Sequence, residues 1–177
     1  MTSPEFLEWA AAQPKGRYEL VDGEVVAMAP ERARHTIVKG NIYRALHDAV
    51  RKASLPCSVF PDGISVIINN KSTYEPDATV QCGVTVDLDS MIAEKPMIVV
   101  EVTSPSSESR DHSSKLADYF TLPSIVHVLI VDPVKKLVIQ HSRGPGVDLL
   151  TRILRDGDIT LDPPGIAVPV ASFFADI

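Results

Sequence analysis

No stretch of this 177-residue chain approaches the roughly 18 consecutive apolar residues of a membrane-spanning helix, and charges at Glu5 and Glu8 precede any apolar run. Neither leader nor anchor is expected, and the protein reads as soluble and cytoplasmic. Cysteine is scarce. Cys57 and Cys82 form no CxxC pair and lie far from any HxxxH or HxxxC spacing, so neither a zinc site nor a disulfide framework is indicated. Both read as small buried hydrophobes. Cations are outnumbered, 17 Lys and Arg against 23 Asp and Glu, which gives a net charge of −6. This disfavours a protein that coats nucleic acid non-specifically, because phosphate contacts need clustered Lys and Arg. A local basic patch on an acidic body still admits DNA. No repeat, low-complexity segment or linker divides the chain, and its 45% hydrophobic content can bury one core, so a single domain over residues 1–177 is expected.

Local patterns then suggest the elements. Ser3-Pro4-Glu5, followed by Phe6, Leu7, Trp9 and Ala10, predicts a short helix that ends before Pro14. Tyr18–Val21 and Glu24–Met28 flank Asp22-Gly23, a pair that tolerates the positive φ angles of a tight hairpin turn. From Arg32 to about Ala53, Ile37, Ile42, Ala45, Leu46, Ala49 and Val50 recur at helical spacing. The basic residues between them, Arg34, Lys39, Arg44, Arg51 and Lys52, read as a solvated face. Ser58–Phe60, Ile64–Ile68, Ala78–Gln81 and Met97–Val102 read as strands of one sheet. Serines between Thr103 and Ser109 are candidate caps of a helix carrying Leu116, Tyr119 and Phe120. Ser104, Ser106, Ser107 and Ser109 lack the GxSxG context of a nucleophile. Val126–Val131 reads as a central strand turned by Asp132-Pro133 into Leu137–Gln140, and the tail from Asp156 as edge strands with a closing turn.

Two acids stand where a hydrophobic strand does not ordinarily accept them. Asp77 follows Pro76 at the mouth of a strand, and Glu101 interrupts Met97-Ile98-Val99-Val100 before Val102. A buried unpaired carboxylate costs several kcal/mol, so each must be paired, exposed or bound to a cation. Carboxylates converging from neighbouring strands suit Mg²⁺, with Mn²⁺ as a substitute, although a salt bridge at a strand end would also explain Glu101.

The order Pro-Asp, then Glu in a hydrophobic strand, resembles the PD-(D/E)XK nuclease pattern, but Thr103 stands where that pattern has lysine. Tyr18-Glu19-Leu20-Val21-Asp22-Gly23-Glu24, Pro76-Asp77, Val99 through Ser107, Arg110-Asp111, Lys115-Leu116, Tyr119 and Val131-Asp132-Pro133 together resemble the Uma-two family of restriction-type nucleases. The resemblance implies an α/β (α+β) restriction-endonuclease-like core, a mixed central sheet flanked by helices and preceded by a helix and hairpin. It also implies that the lysine has moved onto the following helix, as Lys115, and that Glu19 is an additional acid of the site. Each has a plainer alternative: Lys115 as an i, i+4 surface pair with Asp111, and Glu19 as a solvent-facing strand residue. His35, beside Lys39 and Tyr43 on one helical face, could contact a phosphate or be structural.

The leading reading is hydrolysis of nucleic-acid phosphodiesters, with Asp77, Glu101 and the Val102 carbonyl holding the metal and Lys115 and Glu19 assisting. DNA is the expected substrate, and cutting both strands of a duplex favours a homodimer. A non-catalytic binding or assembly module that keeps the fold is the competing class. A metal-dependent hydrolase of another phosphoester is a third.

Overall fold

The computed structural model describes residues 1–103 and 109–177, and the side chains of residues 109–113 also lie outside the description. The predicted serine caps at 104, 106 and 107 therefore fall outside the described residues. Helix α1 (Ser3–Ala11) carries Pro4 in its first turn and ends before Pro14, as the sequence suggests. Thr2 is the N-cap, its N–H donating to Glu5 Oε2 at 2.8 Å. Ser3 is released for another task, donating its hydroxyl to Asn69 O at 2.7 Å.

Strands β1 (Tyr18–Val21) and β2 (Glu24–Ala27) form the expected hairpin. Asp22 at φ 51° and Gly23 at φ 87° supply the two positive angles that such a turn requires. Helix α2 (Ala33–Lys52) follows. Next come β3 (Cys57–Pro61), β4 (Val66–Asn69), β5 (Ser72–Tyr74), β6 (Ala78–Cys82) and β7 (Pro96–Val102), then helix α3 (Ser109–Tyr119). The chain ends with β8 (His127–Asp132), β9 (Leu137–Arg143), β10 (Leu149–Leu154), β11 (Asp158–Leu161), β12 (Ile166–Pro169) and the short helix α4 (Val170–Phe173).

The fold is mixed α+β. Its main sheet has the order β10-β9-β8-β7-β6-β3, antiparallel except for the β7–β8 pair, which α3 connects in parallel. The sequence reading put β4 in this sheet. Instead β4 pairs with β5, too short to stand out in the sequence, and both join the hairpin in a four-stranded sheet of order β2-β1-β5-β4.

Alternation along β7 decides which groups enter which core. Ile98, Val100 and Val102 pack under α2, against Val38, Ile42, Leu46 and Val50, in a core shared with β6, β8, β11, β12 and α4. Val99 points the other way, joining Val128, Tyr119, Ile125, Tyr74 and Val66 in a second core between the two larger sheets. Glu101 shares its parity and faces this second side.

One expectation is overturned. Cys57 and Cys82 are directly opposite in the β3–β6 register and form a disulfide, rather than two independent buried thiols. Strand register brought them together across 25 residues, and no spacing rule registers that. Closing a loop of this length restricts the unfolded chain by about 3 kcal/mol. Denaturant unfolding with reductant is therefore expected to give a stability about 2–4 kcal/mol below that without it. The Cys57→Ala/Cys82→Ala variant should sit at the lower value and ignore reductant; identical wild-type curves in both conditions would contradict the bond's stabilising role.

Candidate active site

The two acids singled out by the sequence meet at the end of β7. Asp77 donates its backbone N–H to Val100 O at 2.9 Å, while its Oδ2 accepts from the N–H of Val102 at 2.6 Å. One residue thus clasps β7 on both sides of Glu101. Asp77 and Glu101 are 6% and 7% exposed, so both charges sit largely outside bulk water.

Glu101 faces α3. Its Oε1 accepts from the Tyr119 hydroxyl at 2.6 Å and lies 3.8 Å from Lys115 Nζ. Lys115 is 8% exposed rather than a surface residue, which removes the alternative of an exposed pair on the helix face; the Asp111 side chain is outside the described residues. Its ammonium contacts both oxygens of Glu19 at 2.8 Å and stands 5.2 Å from the centre of the Tyr74 ring. Glu19 is likewise buried, against the solvent-facing alternative, and also accepts the Glu75 N–H at 3.0 Å. Strand alternation turns Glu19 inward and the α3 stripe carries Lys115 and Tyr119 on one face, so β1, β7 and α3 each deliver their group by ordinary periodicity.

On the other side of Asp77 lies a lattice of charges absent from the sequence reading. Lys39, taken there for a solvated residue, is 6% exposed, with Nζ at 2.5 Å from Asp62, 2.6 Å from Glu31 and 3.2 Å from Asp77 Oδ1. Arg17 contacts Asp62 at 2.7 Å, Glu31 at 3.1 Å and Glu75 at 2.5 Å. His35 Nε2 approaches Asp77 Oδ1 at 3.4 Å, so this histidine does face the site. The signal for Lys39 was present only as its i, i+4 spacing from His35; its carboxylate partners lie in distant segments.

These surroundings push the two acids apart. Burial opposes the charge on Asp77, but the His35 hydrogen bond, Lys39 and the Val102 N–H outweigh it and hold the carboxyl below its ordinary range. Burial pushes Glu101 up to about 8; Lys115 pulls it down, while the charges of Asp77 and Glu19 push it further up. Among the described residues, the carboxylates of Glu19, Glu31, Asp62, Glu75, Asp77 and Glu101 gather around Arg17, Lys39 and Lys115. The donor set is hard oxygen, which fits a divalent cation. Glu31, His35 and Asp77 also present donor atoms within 4.8 Å of one another, a grouping able to hold a metal ion.

The raised Glu101 carboxyl has a sign that can be checked. An unfolded Glu ionises near 4.5, whereas the folded one holds its proton to about 8, so the folded state binds more protons between these values. Metal-free stability should fall as pH rises through this window and level off above it. Glu101→Gln, which cannot ionise, should remove that decline and be the more stable protein at pH 8 and above. If the variant instead loses more than about 3 kcal/mol there, Glu101 acts as a buried ionic partner of Lys115.

A family model described as "Putative restriction endonuclease", Uma2, matches residues 3–171. Two uncharacterized proteins of Synechocystis sp. are each 24% identical: one over 180 residues, covering 96% of this chain and 89% of the relative, the other over 135 residues, covering 75% of each. Among solved structures, one described as "a putative nuclease belonging to DUF820" from Anabaena variabilis superposes with a TM-score of 0.75 at 14% identity, over 99% of this chain and 98% of that one. At that identity the likeness establishes fold, and it coincides with the expected restriction-endonuclease-like architecture. The chain belongs to the Uma2 family of restriction-endonuclease-like proteins.

Proposed function

We propose that the chain is a Mg²⁺-dependent nuclease that hydrolyses phosphodiester bonds of nucleic acid, with DNA as the substrate, Mn²⁺ as an alternative ion and a homodimer as the working form. The observation that carries this reading is the ammonium of Lys115, held 2.8 Å from Glu19 and 3.8 Å from Glu101 at the strand end clasped by Asp77. A cation beside a carboxylate cluster is the arrangement that phosphodiester hydrolysis needs, and here a helix supplies what Thr103 does not.

Asp77, Glu101 and the Val102 carbonyl would hold the metal. Bound there, it would polarise the phosphodiester and lower the pKa of an attacking water. The chain's own groups have distinct tasks. Lys115 stabilises negative charge developing on the phosphate oxygens, in a site dry enough for that charge to count. Glu19, itself in β1, keeps the ammonium in place, and its own position is fixed by the Glu75 N–H just beyond β5. The Tyr119 hydroxyl fixes one Glu101 oxygen. Cytoplasmic residence belongs to the same proposal; no helix among the described residues is long and apolar enough to cross a membrane. In a reducing cytoplasm the Cys57–Cys82 pair would exist largely as thiols.

The net charge of −6 favours one competitor, a non-catalytic module that keeps the fold. Cleavage assays on single-stranded DNA, duplex DNA and RNA with Mg²⁺ or Mn²⁺ separate the two. On the nuclease reading, wild type cuts and Lys115→Ala cuts about 100-fold more slowly or worse, the scale of one lost electrostatic stabiliser. Because Lys115 is buried among Glu19, Glu101 and Tyr74, the same change should cost about 3–5 kcal/mol, well beyond an exposed pair. Rates are therefore compared at a temperature where circular dichroism finds both proteins folded. An alanine variant as fast as wild type would refute the role of Lys115, and a wild type inert on all three substrates would favour the module.

A further inference from the structure

The β10 edge of the main sheet leaves apolar side chains uncovered. β10 pairs only with β9 among the described residues, and Leu149, Leu150 and Ile153 are 41%, 55% and 67% exposed. Exposed edges are usually blunted by proline, by several charges or by a bulge. β10 has no proline, a single charge at Arg152, and an unbroken register with β9 from Leu149–Arg143 to Leu154–Val138.

The backbone of this edge has a definite polarity. Gly144 N–H donates to Asp148 O at 2.8 Å, so Asp148 directs its polar groups into the β9 hairpin. By alternation Leu150, Arg152 and Leu154 do the same, whereas Leu149, Thr151 and Ile153 turn their N–H and C=O groups toward open solvent.

We infer that β10 is the surface through which two copies of this chain associate, pairing antiparallel about a two-fold axis at Thr151. The occupant is a second copy because the strand complements itself in this register. Leu149 lies opposite the partner's Ile153, Thr151 opposite the partner's Thr151, and every outward backbone group of the three residues finds a donor or acceptor. Arg152 lies opposite the partner's Leu150, so no like charges meet. Moving the axis to Arg152 would set that residue against itself and Asp148 against the partner's Asp156. Moving it to Leu150 would leave Ile153 opposite the partner's Val147, which lies in the turn before the strand. A strand this short covers less than the roughly 800 Å² per partner of a standard interface, so a weak dimer is expected. The inference rests on the homodimer named under the proposed function but needs no catalysis, so the cleavage reading and this surface are tested separately.

Sedimentation equilibrium over a micromolar to submillimolar series tests it. Wild type is expected to pass from the mass of one chain to that of two. Ile153→Lys and Leu149→Glu should each raise the dissociation constant by about tenfold or more, since each places an unpaired charge in the strand pair. The double variant Leu149→Glu/Ile153→Lys should recover association, because its opposite charges face each other across the axis. Both positions are exposed, so unchanged thermal melts serve as the folding control. A wild type that stays one chain throughout, an Ile153→Lys variant that associates as wild type does, or a double variant that fails to recover would each overturn the assignment.

Discussion

The clasp of Asp77 on β7 is the constraint on which the site depends. Its backbone N–H takes the carbonyl of Val100 and its carboxylate takes the N–H of Val102, so the strand end is fixed with Glu101 between the two bonds. A carboxylate can serve as such a clasp only while ionised. His35 and Lys39 therefore act through Asp77: by favouring its charge they keep the acceptor that aligns β7. The geometry of Glu101 follows from electrostatics several ångströms away, on a different helix.

The charge lattice behind this clasp gives little evidence of stability in itself. Removing several carboxylates and two cations from water costs free energy that close ion pairing only partly offsets, and apolar replacements are often no worse for stability. Arg17, Lys39 and their four carboxylate neighbours nevertheless gather beside the strand end rather than elsewhere on the surface. That placement is economical if the lattice holds a fixed electric field at the site, since preorganised charge does not need to reorganise when substrate charge develops.

Much of the fold could be read in the sequence where local chemistry dictated it. Asp22-Gly23 specified a turn whose positive φ angles the structure contains, and α2 came within one residue at each end because its apolar stripe is long. Of the candidate site, Asp77, Glu101 and Lys115 were visible as polar groups out of place or at a packed border, and Glu19 through the family resemblance. What stayed hidden is non-local. Glu19 meets Lys115 across 96 residues, Lys39 meets Asp62 across 23, and Cys57 meets Cys82 only through register. β5 is three residues long, and β10 reads Leu-Leu-Thr-Arg-Ile-Leu, in which all but Leu154 are exposed, so neither offers the clean alternation by which a half-buried strand is recognised.

The opposite displacement of Asp77 and Glu101 links the fold to the chemistry. If both acids titrated normally, both would be ionised at neutral pH, and their repulsion in a buried space would strain the clasp. As built, Asp77 is held below its ordinary range, while Glu101, turned by alternation toward Lys115 and Tyr119, holds a proton until about pH 8. The metal-free protein thus tolerates the cluster by keeping one acid neutral. An added cation would reverse that balance, favouring the ionised form of Glu101 and releasing its proton. The same burial that raises Glu101 is what would make binding depend on pH, with affinity growing as pH rises toward 8. Strand parity, fixed by one residue position in β7, therefore decides both where the second acid points and, through its burial, the pH at which it ionises.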